Sequence, residues 1–130
     1  MCYYKHNREI AKIAEKDIVV YKTGKCVKSF FHEDQFSPSV YKEFKYTKDE
    51  KTERIEFVNP FDKLGYIYYP TIEKGYHFYL DKKYAISYTH DVGIFIIPKG
   101  TIYFSNYCSG MHMGVAEQLI FKDIVNFKTH

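Results

Sequence analysis

The sequence predicts an α+β fold: a mostly antiparallel β-sheet of about seven to nine strands with one or two short helices, in a single domain over residues 1–130. Three observations carry this expectation. The chain has 14 Tyr and 11 Phe but no Trp, and flat or branched side chains pack well on a pleated surface. Short β-branched runs such as Ile18-Val19-Val20-Tyr21 are separated by Gly, Pro and Asn, the punctuation of strands joined by turns. Helical spacing appears in only two short segments. A length of 130 residues suits one domain, and such a chain buries roughly two-thirds of its unfolded surface, enough for a core without metal or disulfide.

The elements follow in order. Ile10, Ile13 and Ala14 lie at helical spacing, with Asn7 as a cap, so residues 8–16 read as a two-turn helix or an irregular lead-in. Ile18 to Lys22 is a buried strand ended by Thr23-Gly24. Cys26 to Phe31 is a second strand, paired with the first through Gly24. Gln35 to Ser39 reads as a loop, since Pro38 removes a donor. Val40 to Tyr46 alternates apolar and charged residues, a strand with one wet face. Thr47 to Thr52 is the polar tip of a hairpin, and Ile55 to Val58 is the return strand, stopped by Asn59-Pro60. Tyr66 to Tyr69 is a short aromatic strand. Gly75 turns the chain into the strand Tyr76 to Leu80, and Asp81 caps a short helix through Tyr88. Val92 to Ile97 has no polar residue and reads as a strand covered on both faces. Pro98-Lys99-Gly100 turns into a strand from Thr101 to Phe104. Ser105 to Gly114 reads as a loop, Val115 to Phe121 as a strand, and Ile124 to Phe127 as its extension.

Composition narrows the function. A formal charge of +3 is too small to point to nucleic acid as a partner. Lys42, Lys45, Lys48 and Lys51 are interleaved with Glu43, Asp49, Glu50 and Glu53, which describes a solvated face. Cys2, Cys26 and Cys108 are odd in number and form no CxxC pair, against a disulfide framework or a cysteine-bound zinc. A reducing cytoplasm is the expected location. Residues 1–6 hold no apolar signal core, and no run reaches about 18 apolar residues, so no membrane partner is expected.

The candidate site residues are Tyr21, Lys22, Tyr76, His77 and Glu117. His77 follows a turn glycine and sits between Tyr76 and Phe78. It either pins the turn through a nearby carbonyl or contacts a ligand, since imidazole serves both purposes. Glu117 follows a Ser- and Gly-rich stretch. It either offers its carboxylate to a ribose diol or acts as a base, or it is an exposed edge-strand charge. Tyrosine rings can stack a base and lysine can meet phosphate. His77, His90 and His112, with Asp81 or Asp91, are the only metal candidates. None are spaced as helix-borne ligands, so no metal is expected. There is no GxSxG elbow, GxGxxG turn or GKS/GKT loop, so no catalytic residue is assigned from motif.

Two resemblances arise at these residues. Asp17-Ile18-Val19-Val20-Tyr21-Lys22, Ser37-Pro38, Gly75-Tyr76-His77 and Ile97-Pro98-Lys99-Gly100-Thr101 together resemble a group of small uncharacterised proteins of gut bacteria and their phages. The order of elements is also similar to the ADP-ribosyltransferase fold. In that family an early strand carries a basic or histidine residue, a middle strand places an aromatic before a short helix, and a late strand begins with glutamate. Lys22, Tyr76 or His77 in Gly75-Tyr76-His77-Phe78, and Glu117 stand in those places. That resemblance implies an enzyme using NAD as cofactor, with Glu117 and His77 catalytic. The family's Ser-Thr-Ser motif and first-strand His-Gly pair are absent. The leading expectation is therefore a cytoplasmic binding protein without catalysis or cofactor, phage-encoded, which sequesters a nucleotide or nucleotide-derived signal in a tyrosine-lined cleft. The alternatives are the NAD-using transferase and an inhibitor of a host protein.

Overall fold

A computed structural model describes residues 3–5, 9–27, 35–38, 45–57, 60–61, 71–72, 74–86 and 90–125. Among them the chain forms β1 (Tyr3–Tyr4), β2 (Lys12–Ile13), β3 (Ile18–Val27), β4 (Gln35–Pro38), β5 (Tyr46–Thr47), β6 (Thr71–Ile72) and β7 (Tyr76–Tyr79). One 3-10 turn, Lys82–Tyr84, follows, and then β8 (Asp91–Ile97), β9 (Ile102–Cys108), β10 (Met111–Ala116) and β11 (Ile120–Val125). The predicted antiparallel sheet is present, with less helix than expected. Residues 12–13 pair with β9 as a short strand where a two-turn helix or an irregular lead-in is predicted. Of the helix expected from Asp81 to Tyr88, the described residues 81–86 hold one 3-10 turn, in which the Asp81 carboxylate accepts the Lys83 N–H at 3.1 Å, and residues 87–88 lie outside the described residues. A cap alone cannot sustain so short a helix, because its first turn fixes several residues for one hydrogen bond.

Nine strands form one sheet with the main order β11-β8-β3-β7-β10-β9-β2, while β4 pairs with β3 and β5 with β4. All of these ladders are antiparallel. Strand β3 is the hub. Tyr21 faces Ile94 on one edge and Tyr79 on the other, while Gly24 faces Asp91 on one edge and Pro38 on the other. Thus β7 and β4 share one edge of β3, and β8 takes the other from Ile18 to Gly24. Beyond β5, Asp49 N–H donates to the Phe121 carbonyl at 2.8 Å and Thr52 N–H to the Leu119 carbonyl at 3.0 Å. Backbone bonds therefore run in a circuit through β3, β8, β11, the 48–52 segment, β5 and β4, and this part of the sheet curls back on itself.

The circuit encloses the first core. Phe36, Phe95 and Phe121 lie with ring centroids 5.3 Å apart in each pairing. Tyr46 joins them 4.8 Å from Phe95 and 6.0 Å from Tyr76. Val20, Phe78, Ile97 and Leu119 complete it. A second core, Tyr3, Ala11, Phe104, Cys108, Met113 and Val115, covers the opposite face of the β7-β10-β9 half.

Several boundaries differ from expectation. Thr23-Gly24 does not end the first strand; β3 runs on to Val27, so Cys26 and Val27 belong to it. Gly24 is needed because β4 lies so close: a Cβ there would sit 2.1 Å from the Ser37 carbonyl and 2.7 Å from the Phe36 ring. Gln35–Pro38, expected as a loop, is β4, with Pro38 as its last residue. Residues 52–57 belong to no strand. The stretch 105–114, expected as a loop, is mostly strand. Its only turn is Ser109-Gly110, whose positive φ values of 54° and 79° suit a two-residue hairpin between Cys108 and Met111. The return strand expected from Val115 to Phe121 is broken at 117–119, ending β10 and starting β11. The Pro98-Lys99-Gly100 turn is present, with Thr101 N–H bonded to the Pro98 carbonyl at 3.0 Å. The expected strands over 28–31, 40–44 and 66–69 and the extension at 126–127 lie outside the described residues. No helix among the described residues is long and apolar enough to cross a membrane.

Candidate functional site

Strand alternation sends neighbouring residues to opposite faces, and it divides the five candidates. Lys22 and Tyr76 turn to the face of the first core. Tyr21 and His77 turn to the other. Glu117 lies in the bend between β10 and β11.

Strand β7 places His77. Its register partner is Val115 of the second core, so the imidazole is covered on that face and is only 6% exposed. Nε2 lies 2.8 Å from the Ile72 carbonyl. A carbonyl can only accept, so Nε2 carries the proton and donates. Burial drives the pKa from 6.5 down to about 4; the bond to Ile72 opposes this and the nearby Lys22 charge adds to it. His77 is therefore a neutral imidazole that ties the chain before Gly75 to β7, the turn-pinning role.

Lys22 donates from Nζ to the His77 carbonyl. Its Nζ also stands 5.6 Å from the Tyr46 ring centroid. Burial lowers its pKa from 10.5 to about 7. Beside it, Tyr76 donates its hydroxyl to the Glu53 carbonyl at 2.6 Å. Burial raises the Tyr46 and Tyr76 phenols, so both stay protonated.

Glu117 is neither at the mouth of the sheet nor an exposed edge charge. It is 2% exposed. Arg54 Nε donates to Oε1 at 3.0 Å and Phe57 N–H donates to Oε2 at 2.7 Å. Its backbone carbonyl accepts from Ile55 N–H at 3.0 Å. The residue clamps the 52–57 segment onto the β10-β11 bend. Its carboxylate bonds go to Arg54 and Phe57, and neither Lys22 nor His77 is among those partners.

Of the predicted set, Tyr21 is half-buried on the face opposite the first core, and it has company. Tyr79 is its direct register partner and is half-buried on the same face. The ring of Tyr84 lies 6.5 Å from that of Tyr79. The 3-10 turn that carries Tyr84 is strapped to β3, because Thr23 Oγ1 donates to the Ala85 carbonyl at 2.6 Å. Thr23 and Tyr21 share a face, so this strap holds the turn beside Tyr21. Lys82 and Lys83 project from the same turn into solvent, with Lys83 Nζ 4.9 Å over the Tyr84 ring and 3.8 Å from the Asp81 carboxylate. The arrangement is a shelf of three half-buried tyrosines edged by two lysines. Flat rings present stacking surfaces, and ammonium groups attract anions.

Sequence reading missed Tyr79, Lys82, Lys83 and Tyr84 as a unit. The signal was there in part: Tyr79 follows His77 by two in a strand, and the Asp81 cap places Lys82-Lys83-Tyr84 directly after it. The pairing of Tyr79 with Tyr21, far apart in sequence, was not.

Among the described residues no group of three or more His, Cys, Asp or Glu is placed to hold a metal ion. Compared with protein families, with curated proteins and with solved structures, the chain matches none.

Proposed function

We propose that this chain is a binding protein without catalysis, and that it holds a flat anionic ligand of nucleotide type on the Tyr21, Tyr79 and Tyr84 shelf. One observation carries the reading: two tyrosines in cross-strand register and a third on a strapped turn lie together with Lys82 and Lys83. Base stacking on the rings and phosphate contact from the lysines are the expected interactions. Such a protein acts by sequestration. A phage origin and a host signal as the ligand rest on the resemblance alone.

The transferase alternative, with NAD as cofactor, would use Glu117 as its key carboxylate. Both oxygens of that group already accept strong hydrogen bonds, which is why binding is preferred. The host-protein alternative draws on a different observation. Next to the shelf, Val19 is 49% exposed and Ile94, Ile96 and Ile120 are half-buried on the same face, a small apolar surface of the kind protein partners cover.

A thermal-shift panel of mono- and dinucleotides tests the proposal. Ligand at about 100 times its dissociation constant stabilises by about 2.7 kcal/mol, which for a domain of this size raises Tm by roughly 10 °C. Tyr21→Ala and the pair Lys82→Gln with Lys83→Gln should each abolish the shift without lowering the ligand-free Tm by more than a few degrees. A panel with no shift would sink the reading. Turnover of NAD lost in Glu117→Gln would favour the transferase. A single co-purifying protein lost with Val19→Lys would favour the inhibitor.

A further inference from the structure

Strand β11 carries a register shift beside the tyrosine shelf. Phe121 pairs with Phe95, and both belong to the first core. Regular alternation would send Asp123, two residues on, to that same face. Instead the register shifts between them, Lys122 drops out of the pairing, and Asp123 faces Ile94. Ile124 then faces Gly93 and packs against the first core. Asp123 therefore projects from the opposite face, which is the face of Tyr21, and it is exposed. An extra residue in a strand re-aims a side chain in this way, and such bulges recur next to functional sites.

The pairing aligns one row across four strands. Asp123 of β11 faces Ile94 of β8, Ile94 faces Tyr21 of β3, and Tyr21 faces Tyr79 of β7. Neighbouring strands lie about 4.8 Å apart, so the backbones of Asp123 and Tyr21 are about 10 Å from each other. A purine lying on the Tyr21 ring and the Asp123 side chain together span that gap. Lys82 and Lys83 stand at the other end of the row, on the turn whose Tyr84 ring lies 6.5 Å from that of Tyr79. The shelf thus has ammonium groups at one end, rings in the middle and a carboxylate at the far end. Asp123 Oδ1 accepts the Ile124 N–H at 2.8 Å, which orients the carboxylate. Its two oxygens together have about four acceptor positions, so it can accept from a ligand as well.

This polarity sets how a nucleotide lies. The sugar leaves a purine at one end, and the hydrogen-bonding edge of the base is at the other. With the phosphate at the lysines and the base on the rings, that edge points toward Asp123. An ionised carboxylate only accepts. Guanine offers it two adjacent donors, the ring N1–H and the 2-amino group. Adenine offers its amino group next to a ring nitrogen lone pair, which the carboxylate repels. We propose, building on the nucleotide reading of the shelf, that Asp123 is its base-selecting residue and that the ligand class is a guanine nucleotide.

The test is calorimetric titration of GMP, IMP and AMP into the folded wild type, Asp123→Asn and Asp123→Ala. Asp123 is exposed, so both variants should keep the wild-type Tm. The wild type should bind GMP about tenfold or more tighter than AMP, the discrimination that a two-bond contact to a base gives. IMP, which keeps N1–H but lacks the 2-amino group, should fall between. The preference should disappear in Asp123→Ala, and Asp123→Asn, whose amide both donates and accepts, should shift it toward AMP. Equal binding of GMP and AMP by the wild type overturns the assignment while leaving the shelf as a nucleotide site. So does a guanine preference that survives in both variants. Binding of none of the three overturns the shelf reading and the assignment with it.

Discussion

Acidification through the range where an ordinary histidine titrates should weaken this fold through one residue. His77 titrates at about 4 in the folded chain against 6.5 for the free group. Between these values the unfolded chain binds a proton that the folded chain refuses. Stability therefore rises with pH across this window: its contribution is complete above 6.5 and is lost as pH falls toward 4. One pH unit is worth about 1.4 kcal/mol, so the full effect is about 3 kcal/mol. That is a large part of the 5–15 kcal/mol typical of a domain. The structural cause is specific. Nε2 already donates to the Ile72 carbonyl, the ring faces the apolar second core, and the Lys22 amine is close, so a second proton adds charge where water cannot solvate it. The assay is urea denaturation at a series of pH values for the wild type and for His77→Gln, whose amide can supply an N–H near the Nε2 position. Other titrating groups are common to both, so the difference between the two curves isolates His77. The wild type should lose about 3 kcal/mol more than the variant between pH 7 and pH 4. Parallel curves would refute the reasoning and place the imidazole in contact with solvent.

Further outcomes follow from the same geometry. Lys22 has the corresponding window at higher pH: stability should rise from about 7 toward 10.5 as the unfolded chain alone stays protonated, and Lys22→Met should flatten that rise in calorimetric scans. Glu117→Ala leaves the Phe57 N–H and the Arg54 guanidinium without their acceptor, and should cost about 2–4 kcal/mol by denaturation; Glu117→Gln, which keeps the shape and one acceptor, should cost less. Gly24→Ala forces a Cβ to within 2.1 Å of the Ser37 carbonyl and should cost about 3 kcal/mol or more, while Gly100→Ala, with open space but a φ of +87°, should cost about 1 kcal/mol. Thr23→Val removes the strap to Ala85, and should lower stability by about 1 kcal/mol while weakening any ligand that binds the tyrosine shelf.

Much of the strand content was legible because it rests on local chemistry. Ile18 to Tyr21, Tyr76 to Leu80 and Val92 to Ile97 are dense in β-branched and aromatic residues, and each lies within or against a strand. The failures share a cause. Gly24 reads as a stop, yet β3 passes through it because Phe36, twelve residues along the chain, needs the space. Ser105 to Gly114 reads as a loop, yet its two arms pair with each other and Met113 and Gly114 also pair with β7, and partners override a weak local preference. The site was harder. His77 and Glu117 were visible as polar residues in an apolar frame, but whether a buried polar group serves a ligand or the fold depends on which backbone groups lie opposite it. Here those groups are Ile72, Phe57 and the Arg54 side chain.

By itself the sequence determined that this chain forms β-structure, because alternation, branching and turn residues act over a few neighbouring positions. It also determined that Tyr21 and Lys22, or Tyr76 and His77, point to opposite faces of any strand that holds them. Only the tertiary structure decided which face is covered, that Lys22 meets the His77 backbone, that Glu117 grips Arg54, and that Tyr21 stands beside Tyr79. Those outcomes depend on strand pairing between distant segments, and register across such distances is selected by the packing of the whole core.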